Sequence, residues 1–541
     1  MCCLRYVVQT IIITQLHHLP SLYLLQSNLQ FTVLVCFCCN GVTTNRIDEF
    51  GTQYLCCFLK LCNTLTYLDI SNNNLDDFCC TDIIHAISRP AEEFDTDDKQ
   101  TDFGSISYGH SSAGEIMKVH NHSITDLNIG FNELGDSSAE ALINMIKNNA
   151  VLHTLHLNLS TSISPLNYRK FANAFRLYNS TLQELSLADT PLTVKTMEYF
   201  SRIMQAKDTH ISKLDFSNCN LRHQHLRALL KYILHSTELS HLNLSGNKLS
   251  DTGAAILATI IEGGKHSSSH NHNNSADFSV VMEGTIQNSI HHHHLPPLMI
   301  LDVSSCDFKS EGCKMIVLAI SKRQVFKSLN LSNNYFGSDN IDGYDALSQC
   351  MIHDLRMNMC SIASHGASIF FQGLATSPPP LSSSLSSSSS SSSHRLSQSL
   401  KICCLSGNEI ADSAMTSFGL FLERNNVLEF MDLGFNLITN QSMEILKKCS
   451  AVLSTDNAEK KLYGLTVNFI GNKCDPFIIG PPGLARSKYN FNLGTRPNLL
   501  DPLNKGYSHI PSISRGNFFA RKEMDNMYRT SNPQLSTYSI E

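Results

Sequence analysis

Three groups of residues have types and spacings that could do chemistry. Asn472-Lys473-Cys474-Asp475 carries the Asn-Lys-x-Asp spacing that can bracket a guanine base. That reading needs a phosphate-cradling Gly-x-x-x-x-Gly-Lys-Ser/Thr loop elsewhere, and the chain has none. The tract His291–His294 offers imidazole ligands, but it lies in low-complexity sequence without a spaced second ligand set. Cys36 and Cys39 form a lone Cys-x-x-Cys, where a zinc site wants a second pair. No nucleophile stands at a recognisable spacing from a base. The expectation is no catalytic residue, no cofactor and no metal.

The elements that must position these residues decide between readings. Asn472 falls on a repeat. The pattern Leu-x-x-Leu-x-Leu-x-x-Asn-x-Leu is met by Leu65, Leu68, Ile70, Asn73 and Leu75, and again by Ile124, Leu127, Ile129, Asn132 and Leu134. Leu239 to Leu249, Phe326 to Phe336 and Leu428 to Ile438 repeat it. The ninth position of successive units is Asn45, Asn73, Asn132, Ser160, Thr190, Cys219, Asn247, Cys306, Asn334, Cys360, Asn408, Asn436 and Asn472. Most steps lie near 28 residues, with three long ones of 59, 59 and 48. The alternating Leu-x-Leu core predicts a short strand with one buried face. The ninth residue sits where the chain leaves that strand, and a buried Asn or Cys there can bond the backbone groups of the turn. Apolar residues four apart then follow, as at Leu142 and Ile146 or Phe418 and Leu422, which predicts a helix. One strand–turn–helix unit cannot bury its own apolar face, so the units must stack.

A 28- to 29-residue unit with a full helix and alternating Asn and Cys resembles the ribonuclease-inhibitor subfamily of leucine-rich repeats. The resemblance covers about residues 41–475, some 12 to 13 units. It implies an α/β class fold, a curved horseshoe solenoid with parallel strands on the concave face and helices on the convex face. Asn73, Asn132, Cys219, Asn247, Cys306, Asn334, Cys360, Asn408, Asn436 and Asn472 would form its buried ladder. The units at Ser160 and Thr190 depart from the pattern.

Composition narrows the function. The 541 residues hold 41 Lys and Arg against 47 Asp and Glu, a formal net charge of -6. That balance lacks the basic footprint of a nucleic-acid binder. The 19 cysteines are odd in number and lack disulfide-scaffold spacing, which points to a reducing, cytoplasmic compartment. Residues 1–40 are apolar but interrupted by Gln15, His17, His18 and Pro20. A signal peptide, a membrane anchor, a degenerate first repeat and a wrongly assigned start are the open readings, with signal and anchor disfavoured.

Three insertions, 89–122, 263–297 and 376–398, read as low-complexity loops that leave one rim of the solenoid. The tail, 476–541, has eight basic residues against four acidic ones, interleaved with Tyr489, Phe491, Tyr507, Phe518, Phe519 and Tyr528. It is either a segment that docks on an acidic protein surface or a solvated end.

The repeat also names a candidate partner-binding face. Its central outward position carries Asp69, Asn128, His156, Ser186, Asp215, Asn243, Asp302, Asn330, Arg356, Cys404 and Asp432, a polar and mildly acidic column. Tyr67, Phe131, Phe430 and Phe435 are the outward aromatics, and Phe131 and Phe435 share one repeat position. The leading expectation is a non-enzymatic scaffold for a protein partner, without nucleic acid or membrane. The alternatives are a GTPase-activating regulator resembling the Ran GTPase-activating protein, and a ciliary, axonemal or other cytoskeletal component. The basic tail departs from the acidic tail of the Ran regulator family.

Overall fold

The computed structural model describes residues 47, 49–61, 65–88, 123–148, 151–178, 181–202, 210–233, 236–262, 298–322, 326–376, 399–425, 427–453, 465–474 and 489–492. The chain divides into two compact units, 1–216 with 231–239, and 217–230 with 240–541. The first holds helices α1 (Glu49–Leu61), α2 (Asp77–Ser88), α3 (Asp136–Asn148), α4 (Pro165–Tyr178) and α5 (Val194–Ser201). Between them run strands β1 (Tyr67–Asp69), β2 (Asp126–Asn128), β3 (Thr154–His156), β4 (Glu184–Ser186) and β5 (Lys213–Asp215). The strands pair in parallel and in chain order.

The second unit holds most of α6 (His223–Ile233), then β6 (His241–Asn243), α7 (Ser250–Ile261), β7 (Ile300–Asp302), α8 (Ser310–Ser321), β8 (Phe326–Asn330) and α9 (Ile341–Gln349). It continues with β9 (Ile352–Arg356), α10 (Ala363–Thr376), β10 (Ile402–Cys404), a 3₁₀ turn, α11 (Met415–Arg424), β11 (Phe430–Asp432), α12 (Asn440–Leu453), β12 (Leu465–Asn468) and β13 (Tyr489–Asn492). Its strands are again parallel and in order. This is the repeated strand–turn–helix architecture that the leucine-rich pattern implies. The strand β13 lies inside the segment read as a tail and pairs with β12 from Leu465↔Tyr489 to Asn468↔Asn492.

The pattern residues make the core. Leu65, Leu68, Ile70 and Leu75 are fully buried, as are Phe326, Leu329, Leu331 and Phe336. In β1, β2, β3, β5, β6 and β7 the central side chain is buried between two half-buried neighbours, the two-residue period of a pleated strand, whereas β4 is buried throughout and β10 and β11 bury their last two residues. Helices add a second layer: Phe371 of α10 lies 4.9 Å from Phe418 of α11, ring centre to ring centre.

The turn ladder is more uniform than residue types suggest. The Asn334 amide donates to Val303, Leu331 and Ser332 carbonyls, while its Oδ1 accepts from the Cys306 and Phe308 N–H groups. Asn132, Asn408, Asn436 and Asn472 act in the same way, each binding its own turn and the one before it. Cysteine lacks that acceptor. In those repeats the backbone oxygen substitutes, with Leu249 and Ser250 donating to Cys306 O, and Phe336 and Gly337 to Cys360 O. The Cys306 and Cys360 thiols donate to Leu244 O and Leu331 O. Cys219 donates to Ser217 O, and the Asn247 Oδ1 accepts from Leu221 N.

Helix starts are capped across repeats. Asp77 of α2 accepts from the Gly135, Ser137 and Ser138 N–H groups at the start of α3. Asp136 accepts from Ser164 N before α4, Asp251 from Lys309 N before α8, and Asp412 from Thr439 N before α12. These groups are the orphan donors of a helix N-terminus. Burial pushes the Asp77 carboxyl up, but its bonds from Ser138, Gly135 and Ser137 outweigh it and hold it below the usual range. A carboxyl depressed in the folded state stabilises fully above its unfolded pKa and loses that contribution as pH falls through the folded one. Asp77→Ala is expected to lower stability by about 1 kcal/mol near neutrality. It should also shrink the loss of melting temperature between pH 6 and pH 3, as read by thermal denaturation across pH. An unchanged pH dependence would refute the capping role.

The insertions 89–122 and 263–297, the leader 1–40, His291–His294, Cys36 and Cys39 lie outside the described residues, as does the third insertion from residue 377. Thr376 itself ends α10. Each of these three gaps falls between a helix end and the next strand, after α2, α7 and α10. Among the described residues no helix is long and apolar enough to cross a membrane.

Candidate partner-binding face

The third and fifth residues of each repeat project from the strand face of their unit, and the seventh and eighth stand where the strand ends. At the fifth position the structure finds a structural task. Asp69 accepts from the Ser71 N–H and hydroxyl at 3.0 and 2.7 Å, and Asp302 from those of Ser304 at 2.9 and 2.7 Å. Asn128, Asn243, Asn330 and Asn468 accept from the N–H two residues on in the same manner. This short side-chain turn closes the strand exit. The polar column is therefore largely committed within the chain, which explains its acidic and amide character without a partner.

Three fifth-position residues correct the picture of an outward column: Ser186, Cys404 and Asp432 are buried. Asp432 accepts from Gly434 N and from the Asn468 amide, and has its carboxyl pushed up by that burial. None of the three presents a charge to solvent. Asp69, Asp215, Asp302 and Arg356 are half-buried. Arg356 lies against Asp354 of its own strand, Nε and Nη2 donating at 3.1 and 3.0 Å.

The first unit brings together a charged cluster that sequence reasoning missed in part. His156 was on the column, while Glu184 and Lys213 occupy third positions of the next two repeats. Glu184 receives His156 Nε2 at 3.2 Å and Lys213 Nζ at 2.9 Å. Burial pushes the Glu184 carboxyl up, but those two bonds and charges prevail and hold it below its usual value. Ser186 pairs with His156 across the strands and could resemble a nucleophile beside its base. Its hydroxyl is 2.6 Å from Asn158 Oδ1 instead, so the arrangement orders polar side chains rather than activating one.

The eighth position is where this face is unusual. Asn72, Phe131, Leu159, Asp189, Asn218, Gly246, Ser305, Asn333, Met359, Gly407, Phe435 and Gly471 all have positive φ, from 53° to 79°. Glycine takes this left-handed backbone freely, and Asn and Asp tolerate it. Phe131, Leu159, Met359 and Phe435 do not. Phe131 and Leu159 come from consecutive repeats of the first unit, with Phe131 N bonded to Asn158 O at 2.7 Å. Leu159 is 39% exposed and Phe435 42%. In the second unit each bulky residue lies over a glycine of the next repeat. A Cβ on Gly471 would stand 2.5 Å from the Phe435 ring, and one on Gly407 would stand 3.1 Å from Met359 Cγ. Leu437, two residues beyond Phe435, is likewise exposed. Tyr67 and Phe430 are half-buried third-position residues, and the Tyr67 hydroxyl is held by Asp69. Comparing eighth positions with one another would have exposed the bulky exceptions from sequence alone.

Comparison with known proteins adds kinship. A leucine-rich-repeat family profile matches residues 61–77, 120–142, 235–258 and 294–317. The chain is 22% identical to the ribonuclease inhibitor of Mus musculus over 296 residues, covering 54% of each chain. It is 23% identical to NACHT, LRR and PYD domains-containing protein 14 of Mus musculus over 344 residues, 60% of this chain and 31% of that one. It is 25% identical to protein 3 of the same series in Rattus norvegicus, covering 41% and 18%. The chain thus spans under a third of the length of those two NACHT proteins. Among solved structures, the yeast Rad7–Elc1 complex aligns over 84% of this chain and 89% of that one, at 13% identity and a TM-score of 0.43.

Proposed function

Since the chain is a leucine-rich-repeat protein of the ribonuclease-inhibitor-like type, we propose that it is a non-enzymatic scaffold. It holds a protein partner against the strand face and the strand-exit edge of its repeats. The observation that carries this reading is the set of bulky apolar residues kept in left-handed backbone at the eighth position. Strained backbone that surrounding packing could relieve with a smaller residue marks a place where the side chain is used. Large aromatic side chains at a water-accessible edge are the usual anchors of a protein interface. The polar column supplies ordered side chains between them rather than a free acidic field.

The compartment that fits is the cytoplasm, because 12 of the cysteines among the described residues are free thiols and such thiols persist in reducing surroundings. The test uses proximity labelling on the full chain in cells to obtain the partner, followed by binding measured with the purified pair. Phe131→Ala and Phe435→Ala together are expected to weaken binding at least tenfold, while Lys170→Ala, a substitution in an exposed helix-side ion pair, leaves it unchanged. Equal affinity in all three proteins would refute the proposed face.

A further inference from the structure

The first unit ends on a set of unmet groups at its β1 side. Asn132, Asn334, Asn408 and Asn436 each accept, at Oδ1, two backbone N–H groups of the preceding repeat, those of its ninth and eleventh residues. Asn73 is the same residue at the same position. It is fully buried, and its amide donates to Ile70 O and Ser71 O. Among the described residues its Oδ1 has no partner. A buried acceptor left unpaired is costly, and the geometry of the ladder says what is missing: two N–H groups from one more turn.

Helix α1 carries an independent sign. Thr52, Leu55, Cys56 and Leu59 are buried, and α1 packs on α2. The adjoining stripe, Phe50, Gln53, Tyr54 and Cys57, has the same i, i+3, i+4, i+7 spacing and is exposed. Phe50 and Tyr54 are 64% and 60% exposed. A terminal unit of a solenoid ordinarily turns a polar outer face to water; apart from Gln53 this stripe carries aromatic and thiol side chains. Among the described residues β1 pairs with β2.

We infer that this end is an intramolecular docking surface whose occupant is the chain's own segment 37–47, added as one further repeat. A 28-residue step back from Leu65, Leu68, Ile70, Asn73 and Leu75 lands on Phe37, Asn40, Val42, Asn45 and Ile47. Asn45 and Ile47 then provide the ninth and eleventh N–H groups that Asn73 Oδ1 lacks. Phe37, Val42 and Ile47 provide apolar core positions, and Asn40 is the single departure. The segment runs directly into α1, so no linker has to be spanned. A second copy of the chain is the rival occupant, and it differs by responding to protein concentration.

Hydrogen exchange on the full chain decides. The expected result is that the amides of Asn45 and Ile47 exchange at least about tenfold more slowly than in unstructured peptide, equally at low and high protein concentration. Tyr54→Glu and Val42→Asp, on opposite sides of the contact, should each abolish that protection while the amides of α3 keep theirs. If Tyr54→Glu also unfolds α3, Val42→Asp alone carries the test. Exchange at the unstructured rate would overturn the inference. So would protection that both variants leave intact, or protection that rises with concentration together with a dimeric mass in sedimentation.

Discussion

Asn436→Leu is expected to destabilise the second unit by about 4 kcal/mol. Leucine matches asparagine in length but offers no polar atom. The change strands five buried backbone groups: the carbonyls of Leu405, Leu433 and Gly434, and the N–H groups of Asn408 and Ile410. Each unsatisfied buried group costs roughly 1–3 kcal/mol, and neighbours that shift toward water recover part of it. Asn436→Cys should cost only about half as much, because cysteine repeats already exist in this array and place the next acceptor on the backbone, as at Cys306 and Cys360. Urea denaturation followed by local hydrogen exchange in β10 and β11 measures both. If leucine and cysteine cost the same, the ladder acts by volume and not by hydrogen bonding.

Phe435→Gly is expected to move stability and binding in opposite directions. At φ 53° glycine removes a backbone penalty of about 1 kcal/mol. Lost packing of the ring over Gly471 offsets part of that gain. A half-exposed aromatic anchor at an interface is worth about 2 kcal/mol or more, roughly a thirtyfold change in affinity. The variant should therefore melt no lower than the parent and bind the partner about thirtyfold more weakly. Ser305→Gly, at the same repeat position in the second unit, provides the control: some stabilisation and no change in binding. A Phe435→Gly protein that loses stability and keeps its affinity would assign the ring to the fold.

The contrast between these two positions shows why one was legible and the other was not. The ninth residue recurs as Asn or Cys at a 28-residue step because every repeat presents it with the same buried turn. Its role is local, repeated and chemical, so it leaves a period in the sequence. The eighth residue shares a backbone conformation across the described repeats, but its side chain varies from glycine to phenylalanine. Nothing in a single repeat reveals that Phe131 and Phe435 hold a left-handed backbone, since φ is a property of the closed turn.

The amino-acid sequence by itself determined that this protein is a stack of strand–turn–helix units with a buried Asn and Cys ladder. Period, alternation and turn chemistry are local quantities, and a repeat multiplies them until they cannot be mistaken. It also identified His156, Arg356 and Asp432 as members of one column. Only the tertiary structure decided what that column is. Asp432 is buried and bonded to the Asn468 amide of the next strand, Arg356 lies against Asp354, and His156 meets Glu184 only because β3 and β4 lie in parallel register. Whether a side chain on a strand faces water depends on its neighbours in the two adjacent repeats, roughly 28 residues away on either side. That dependence is why the fold could be read along the chain, while the face it offers to a partner could be read only across it.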